Sequence, residues 1–349
     1  MLRMLAGLLL GALSGLIFHA VGIPLPWLLG PLIACAIASL AGAELKQPPL
    51  LRKIGQAVAA VAIGLAFSPA VVESLAGYLH IMVLAAALSM IGGVMVARLV
   101  SVFARTSFET AYFSSLPGGV AEMSVLAERY GGETALVALA QSLRIIFVVL
   151  IIPPLLVALS SDADFSGASA GALVHAPALI VMLVLAGALA VAFDRLRIMN
   201  AWFLAGLAVG ASVAILQIPA SHVPVWMIDV AQVLIGCALG SRIDRGIIIR
   251  LRHFLPATVA GTFGMMLLNV GIAWLVSLWT GFDLSGLVLA TAPGGVAEMS
   301  ITAGALHLAV PLVTAFHLVR VLMIILLSAP LYRGVAWLRG RIPARQPAE

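Results

Sequence analysis

An eight-residue string, Pro117-Gly118-Gly119-Val120-Ala121-Glu122-Met123-Ser124, returns unchanged as Pro293-Gly294-Gly295-Val296-Ala297-Glu298-Met299-Ser300. Both copies sit inside long apolar stretches, and that combination restricts the fold severely. Proline removes a backbone N–H and clashes with the preceding turn, and two glycines loosen the next one, so a helix entering either string has to break there. A break exposes backbone polar groups, which at membrane depth are tolerated only where they face protein or a watery cavity. The chain is therefore expected to be built twice around a helix break.

Hydropathy sets the medium. Apolar residues make up 63% of the chain and charged residues 9%, with a mean hydropathy of +1.17, against about 45–50% and 25% for soluble domains. Runs at 78–100 and 254–278 exceed the ~20 residues that cross a hydrocarbon layer about 30 Å thick. These features define an all-α polytopic membrane protein with no segment polar and long enough to be a soluble domain. Cys35 and Cys237 lie among small apolar residues without Cys-x-x-Cys spacing, so neither a disulfide framework nor a thiolate metal site is indicated. Arg3 ahead of the apolar residues 5–10 reads like a signal peptide. Residues 4–18, however, have a counterpart at 179–193, which favours a retained helix.

The duplication is wider than the octapeptide. At the same offset of 176 residues Gln56 falls on Gln232, Gly64 on Gly240, Arg144 on Arg320 and Pro154 on Pro330, and at 175 Trp27 falls on Trp202. The division is into membrane repeats at 1–165 and 175–337 and a short basic tail at 338–349. Internal repeats of this size are typical of secondary transporters.

The positive-inside rule orients the repeats. A trace that starts with Arg3 inside puts Lys46, Arg52 and Lys53 inside after two crossings. It then crosses at 54–72 to an outer loop holding Glu73 and returns by 78–100 to Arg98 and Arg105. If 107–130 enters and leaves on one side, Arg129 stays inside and helix 133–159 exits to the Asp162/Asp164 loop. The second half then begins from the opposite side, and every Lys and Arg outside the membrane falls inside. Five crossings per half give two inverted repeats of about five transmembrane helices each, with one broken or re-entrant helix per repeat. A short segment such as 54–72 could be the non-crossing one instead; odd parity is the firmer inference. The net charge of +5 is explained by these inner loops and does not indicate nucleic acid. The dense basic run 241–253 reads as topogenic, or as a contact for anionic lipid headgroups or a cytoplasmic partner.

The chemistry lies in the residues left within the membrane. A helix restarting after Pro117-Gly118-Gly119 or Pro293-Gly294-Gly295 points its positive end and free N–H groups at a cavity, where an anionic group can bind. Glu122 and Glu298, with Ser124 and Ser300 close by, either favour those helix starts or carry a coupling proton or cation. Arg144 and Arg320 each follow their half's glutamate by 22 residues. An arginine at a helix centre costs about 2.5–3.5 kcal/mol on insertion scales and so needs a partner. The expected pairs are Glu122 with Arg144 and Glu298 with Arg320, as structural bridges or as arginines that bind a substrate anion. Gln56 and Gln232 are interhelical hydrogen-bond partners or cavity liners, and His317, which stands where the first half has Gln141, is a proton relay or a satisfied core histidine.

The doubled Pro-Gly-Gly-Val-Ala-Glu-Met-Ser motif in a chain of this length resembles the bacterial AbrB-type integral membrane family, whose members carry a duplicated membrane domain. That resemblance brings three labels: transporter, ammonia monooxygenase and regulator of gene expression. The seven histidines are scattered with no i, i+3 or i, i+4 ligand pair, so a metal-dependent monooxygenase is not expected, and no enzyme activity, cofactor or metal is called for. The inner loops are too short to supply a DNA-binding domain, leaving a regulator that acts indirectly or through a partner as the alternative. The favoured expectation is a secondary transporter in the bacterial inner membrane, both termini cytoplasmic, moving a small and anionic solute by alternating access between the two broken helices. Its partners are then the solute or ion and the lipid bilayer, and the sequence leaves room for a homo-oligomer.

Overall fold

The computed structural model describes residues 2–45, 47–159, 175–219, 221–243, 245–250 and 253–338. The Asp162/Asp164 loop, Lys46, Arg252 and the basic tail lie outside the described residues. The first half runs α1 (Leu2–Ala20), α2 (Pro26–Leu40), α3 (Pro49–Gly64), α4 (Pro69–Gly77), α5 (Leu79–Phe103), α6 (Phe108–Ser115), α7 (Val120–Arg129) and α8 (Thr134–Leu159). The second half repeats that order: α9 (Ala176–Arg195), α10 (Ala201–Ile215), α11 (Val225–Gly240), α12 (Arg245–Arg250), α13 (Leu255–Thr280), α14 (Leu284–Thr291), α15 (Val296–Ala305) and α16 (Val310–Leu338).

Six of these helices, α1, α5, α8, α9, α13 and α16, are long and apolar enough to cross a membrane. α2, α3, α10 and α11 are apolar but have 15 or 16 residues, about 22–24 Å at 1.5 Å per residue. The segment 54–72 is not one continuous helix: α3 stops at Gly64 and the chain turns by 91° into α4, and the two together are apolar enough to count as one bent span. Ser68 caps the new helix through Val71 N and Pro69 occupies its first turn, a start signal that competes with continuation.

Side-chain contacts fix the direction of each helix. Tyr78 at the start of α5 packs on Phe282 just past the end of α13, with ring centroids 4.6 Å apart, and His80 lies 6.4 Å from Trp279. Further along, Gly92 faces Leu268 and Val100 faces Gly261. The repeat-related α5 and α13 are therefore antiparallel neighbours. Gly236 and Gly240 of α11 lie against Leu28 and Leu32 of α2, and Gly206 and Gly210 of α10 lie against Ala57 and Val61 of α3. α11 thus runs parallel to α2, and α10 runs parallel to α3. Because α2 and α3 are consecutive and opposed, α3 also opposes its counterpart α11. The halves are inverted, as the charge distribution of the sequence implies. Close approach at these glycines is the small-residue packing expected between membrane helices.

The inverted halves interleave into two bundles. α1, α2, α3, α9, α10 and α11 pack together, and so do α5–α8 with α13–α16. Ion pairs of Arg3 with Glu44 and of Lys53 with Asp194 (2.9 Å) tie the start of α1, the α2–α3 loop, the start of α3 and the end of α9 to one side. This is the basic face.

The segment around the first Pro-Gly-Gly is re-entrant. Glu133 N, just past α7, donates to Thr110 Oγ1 near the start of α6 at 2.9 Å, and the rings of Phe113 and Tyr130 lie 5.8 Å apart. α6 enters from the basic face and α7 returns to it. Tyr332 near the end of α16 joins the same cluster, its ring tilted against that of Tyr130 with centroids 4.7 Å apart, and donates to Glu109 Oε1 at 3.0 Å.

Candidate functional site

Both breaks form by the same local rule. α6 begins at the Ser107 cap and stops where Leu116 turns extended (φ −63°, ψ 133°); α14 begins at the Asp283 cap and stops at an extended Ala292 (φ −47°, ψ 136°). Each is the residue before a proline, from which the helical conformation is sterically disfavoured. Three residues after Leu116 and Ala292, Gly119 and Gly295 are the N-caps of α7 and α15, both extended, with ψ 147°.

The identical spelling of the two octapeptides has a packing reason. The Glu122 carboxylate folds back over Gly119, and that of Glu298 over Gly295, leaving no room for a Cβ at either glycine. At Gly118 the Met123 side chain takes that space, and at Gly294 Met299 and Val148 crowd it less tightly. The second glycine exists to seat the carboxylate and the first to seat the thioether. Ser124 Oγ donates to Val120 O at 2.7 Å, whereas Ser300 Oγ lies 2.9 Å from Thr314 Oγ1, which donates to it.

Arg144 and Arg320 satisfy the broken backbone. Arg144 donates from Nη1 to Leu116 O (2.8 Å), from Nη2 to Gly118 O (3.1 Å) and from Nε across to Pro293 O of the other break (2.9 Å). Arg320 donates to Ala292 O (2.5 Å), Gly294 O (2.8 Å) and Thr291 O (3.3 Å). Ala292 and Gly294 are the repeat counterparts of Leu116 and Gly118. Each guanidinium thus caps the negative end of a half-helix, the carbonyls that its proline break leaves without helical partners. The expected Glu122–Arg144 and Glu298–Arg320 pairs do not form. A planar five-donor fork suits several converging carbonyls better than one carboxylate, and Glu298 pairs instead with Arg52 of α3, Nη2 to Oε1 at 3.1 Å. Among the described residues no ion pair involves Glu122.

His317 holds the place of Gln141 in function as well as in sequence. Gln141 donates from Nε2 to Phe113 O (2.7 Å) and Leu116 O (2.9 Å) and accepts from Arg144 at Oε1 (2.5 Å). His317 Nδ1 lies 2.8 Å from Arg320 Nη2, and Nε2 lies 2.9 Å from Leu289 O. A guanidinium can only donate, so Nδ1 accepts and Nε2 carries the proton that Leu289 O receives. With both nitrogens engaged and the ring fully buried, His317 is a satisfied core histidine; a relay role finds no geometric support.

A cavity of about 1060 Å³ brings these parts together. It is lined by Pro117, Gly118, Gly119, Glu122, Ser124, Arg144, Gly294, Gly295, Glu298, Arg320 and Gln56, so eleven of the residues singled out from the sequence meet there. Pro293, Ser300, His317 and Gln232 stand behind the wall, and Pro293 takes part only through its carbonyl. The sequence reading missed Arg52, Lys53, Asp194, Arg197 and Arg242, all at the basic mouth. In sequence the four basic ones read as topogenic charges, and Asp194 was not singled out. Arg52 carried one available signal: its repeat counterpart is Ile228, so the repeat alone does not account for it.

The two octapeptides occupy unlike environments. Val125, one residue past the first copy, is 63% exposed on the cavity wall, whereas its counterpart Ile301 is 4% exposed. Glu298 is 1% exposed and α15 packs on α3, while α7 faces open space. The guanidiniums repeat the contrast. Arg144 Nε reaches Pro293 O, but Arg320 Nε, buried at the cavity, has no hydrogen-bond partner.

Comparison with known proteins places the chain in a family. The model of the family described as "Transition state regulatory protein AbrB" matches residues 27–336. The chain is 27% identical over 362 residues to "Uncharacterized protein YhjN" of Bacillus subtilis (strain 168), covering 95% of this chain and 92% of that protein. It is 27% identical over 323 residues to "Putative regulator AbrB" of Escherichia coli (strain K12), covering 91% and 92%. With the family model matched across most of its length and two inverted membrane halves, this chain belongs to the AbrB family.

Proposed function

We propose that the protein is a secondary transporter that moves a small anionic solute by alternating access. The observation that carries this reading is one sequence in two environments: the first octapeptide lines the cavity along its whole length and the helix behind it is exposed, whereas the second touches the cavity only at Gly294–Glu298 and the helix behind it is buried. In an inverted repeat, exchanging those two environments closes the basic mouth and opens the opposite side, which is the motion of this transporter class. The interface between the bundles, where the cavity lies, is where the exchange takes place.

The anion preference comes from electrostatics. Six cationic side chains line the cavity against three carboxylates, and the N-termini of α7 and α15 add their dipoles. The basic face is the cytoplasmic one on the positive-inside rule, so the described conformation is open to the cytoplasm.

The regulator reading comes from the printed names of the family and of the Escherichia coli relative. A solute carrier can alter gene expression by setting the level of a metabolite, so the two readings meet in the solute. A thermal-shift screen of detergent-purified protein against carboxylates, phosphate and sulfate tests the proposal. An anion that raises the Tm of wild type, and raises it much less in Arg320→Gln, supports it. No stabilisation by any anion across the panel counts against a transported anion.

A further inference from the structure

The Arg52–Glu298 pair has features that a static brace does not need. It joins α3 of one bundle to α15 of the other, across the interface that alternating access must open. Glu298 is buried, while Arg52 reaches it from the cavity wall with a side chain 21% exposed. Arg52 Nε is also buried without a hydrogen-bond partner, so the guanidinium is held at one end only. Among the described residues the pair has no twin: the repeat counterpart of Glu298 is Glu122, and that of Arg52 is Ile228, which carries no charge.

We propose that Arg52 is a one-sided latch: its ion pair with Glu298 holds α15 against α3, keeps the far side shut, and sets the empty protein to rest open at the basic face. This rests on the alternating-access reading and adds a named residue that biases it. When the far side opens, α15 leaves α3 and the pair separates. When the basic side closes, α7 comes against α11 and Glu122 meets an isoleucine, so no equivalent bond holds that state. Separating a buried carboxylate from its guanidinium is unfavourable until water or another cation reaches it. The empty carrier therefore stays where the pair is intact, and the described conformation is the resting one.

Distances between paired nitroxides test this in full-length protein reconstituted in nanodiscs. Cys35 and Cys237 are buried, so labels go to cysteines introduced across the basic mouth at Val125 and Ile198 and across the far side at Leu216, at the end of α10, and His307. Wild type should show a long first distance and a short second one. Arg52→Ile, which installs the residue of the other repeat, should shift the equilibrium about tenfold toward a short first and long second distance, the scale of a partly exposed pair with one buried partner. Glu298→Gln should move it the same way. The charge swap Arg52→Glu with Glu298→Arg should restore the wild-type distribution, which a purely steric role for Arg52 would not do. A wedge variant, Ala303→Trp on the buried flank of α15, separates the two claims. If the wedge reciprocally exchanges the distances but Arg52→Ile leaves them at wild-type values, or the charge swap fails to restore them, the latch is wrong and alternating access stands. If the wedge lengthens the far-side distance and the basic mouth stays open, alternating access itself is wrong and the latch falls with it.

Discussion

The least replaceable residues are those that finish the broken backbone. Each arginine serves three carbonyls in a buried setting, and an unpaired buried acceptor costs about 1–3 kcal/mol. Arg144→Gln and Arg320→Gln should each lower stability by about 3 kcal/mol or more, measured as a fall in Tm in detergent. Lysine should not rescue either, because a point ammonium cannot span three diverging carbonyls. His317→Gln should stay within about 1 kcal/mol of wild type, since Gln141 already makes the same bonds in the other half, whereas His317→Ala strips Arg320 and Leu289 O of a partner. A large loss in His317→Gln would show that imidazole chemistry matters. Gly119→Ala and Gly295→Ala force the glutamate off its seat at about 1–3 kcal/mol, and Gly295→Ala should cost more because Glu298 is also held by Arg52. The sequence revealed these residues but not their partners. Two charges of opposite sign in a membrane suggest a salt bridge, and only the fold shows that each proline break leaves carbonyls converging on one guanidinium.

At the scale of elements, the breaks, the long spans and the small-residue contacts were legible. Prolines, apolar runs and glycines act through local sterics and burial, which the sequence carries directly. The turn after Gly64 was not legible, because residues 57–67 are uniformly apolar and only the modest Ser68-Pro69 start signal marks it. The interleaving of halves into two bundles was hidden too, since glycines show that helices approach closely without showing which ones. The α3–α10 contact offers a check. Gly210 of α10 lies on the backbone of α3 near Val61 and Gly64, while Gly187 of α9 has nothing within 4 Å of where its Cβ would be. Gly210→Leu should therefore lower stability by at least about 1–3 kcal/mol, and Gly187→Leu should change it by less than about 0.5 kcal/mol. Equal thermal shifts in the two variants would contradict this packing.

For the whole molecule, the inversion was readable because charge distribution constrains every loop at once. The asymmetry of state was not, since one octapeptide repeated twice cannot say which copy is exposed. That asymmetry is what turns a symmetric sequence into a carrier: Val125 faces a cavity and Ile301 is sealed, though the repeat makes them the same position. The most direct test is thiol labelling of Val125→Cys and Ile301→Cys in sealed vesicles, with a membrane-impermeant reagent on one side at a time, before and after adding the anion that most stabilises the protein. The account predicts labelling of Cys at 125 from the basic side alone and protection of Cys at 301 in the empty protein. Anion should then slow the first reaction and let the second proceed from the opposite side. If the residue-301 cysteine stays unreactive from the opposite side while the residue-125 cysteine labels at an unchanged rate, the two copies do not exchange environments and the transport reading is contradicted.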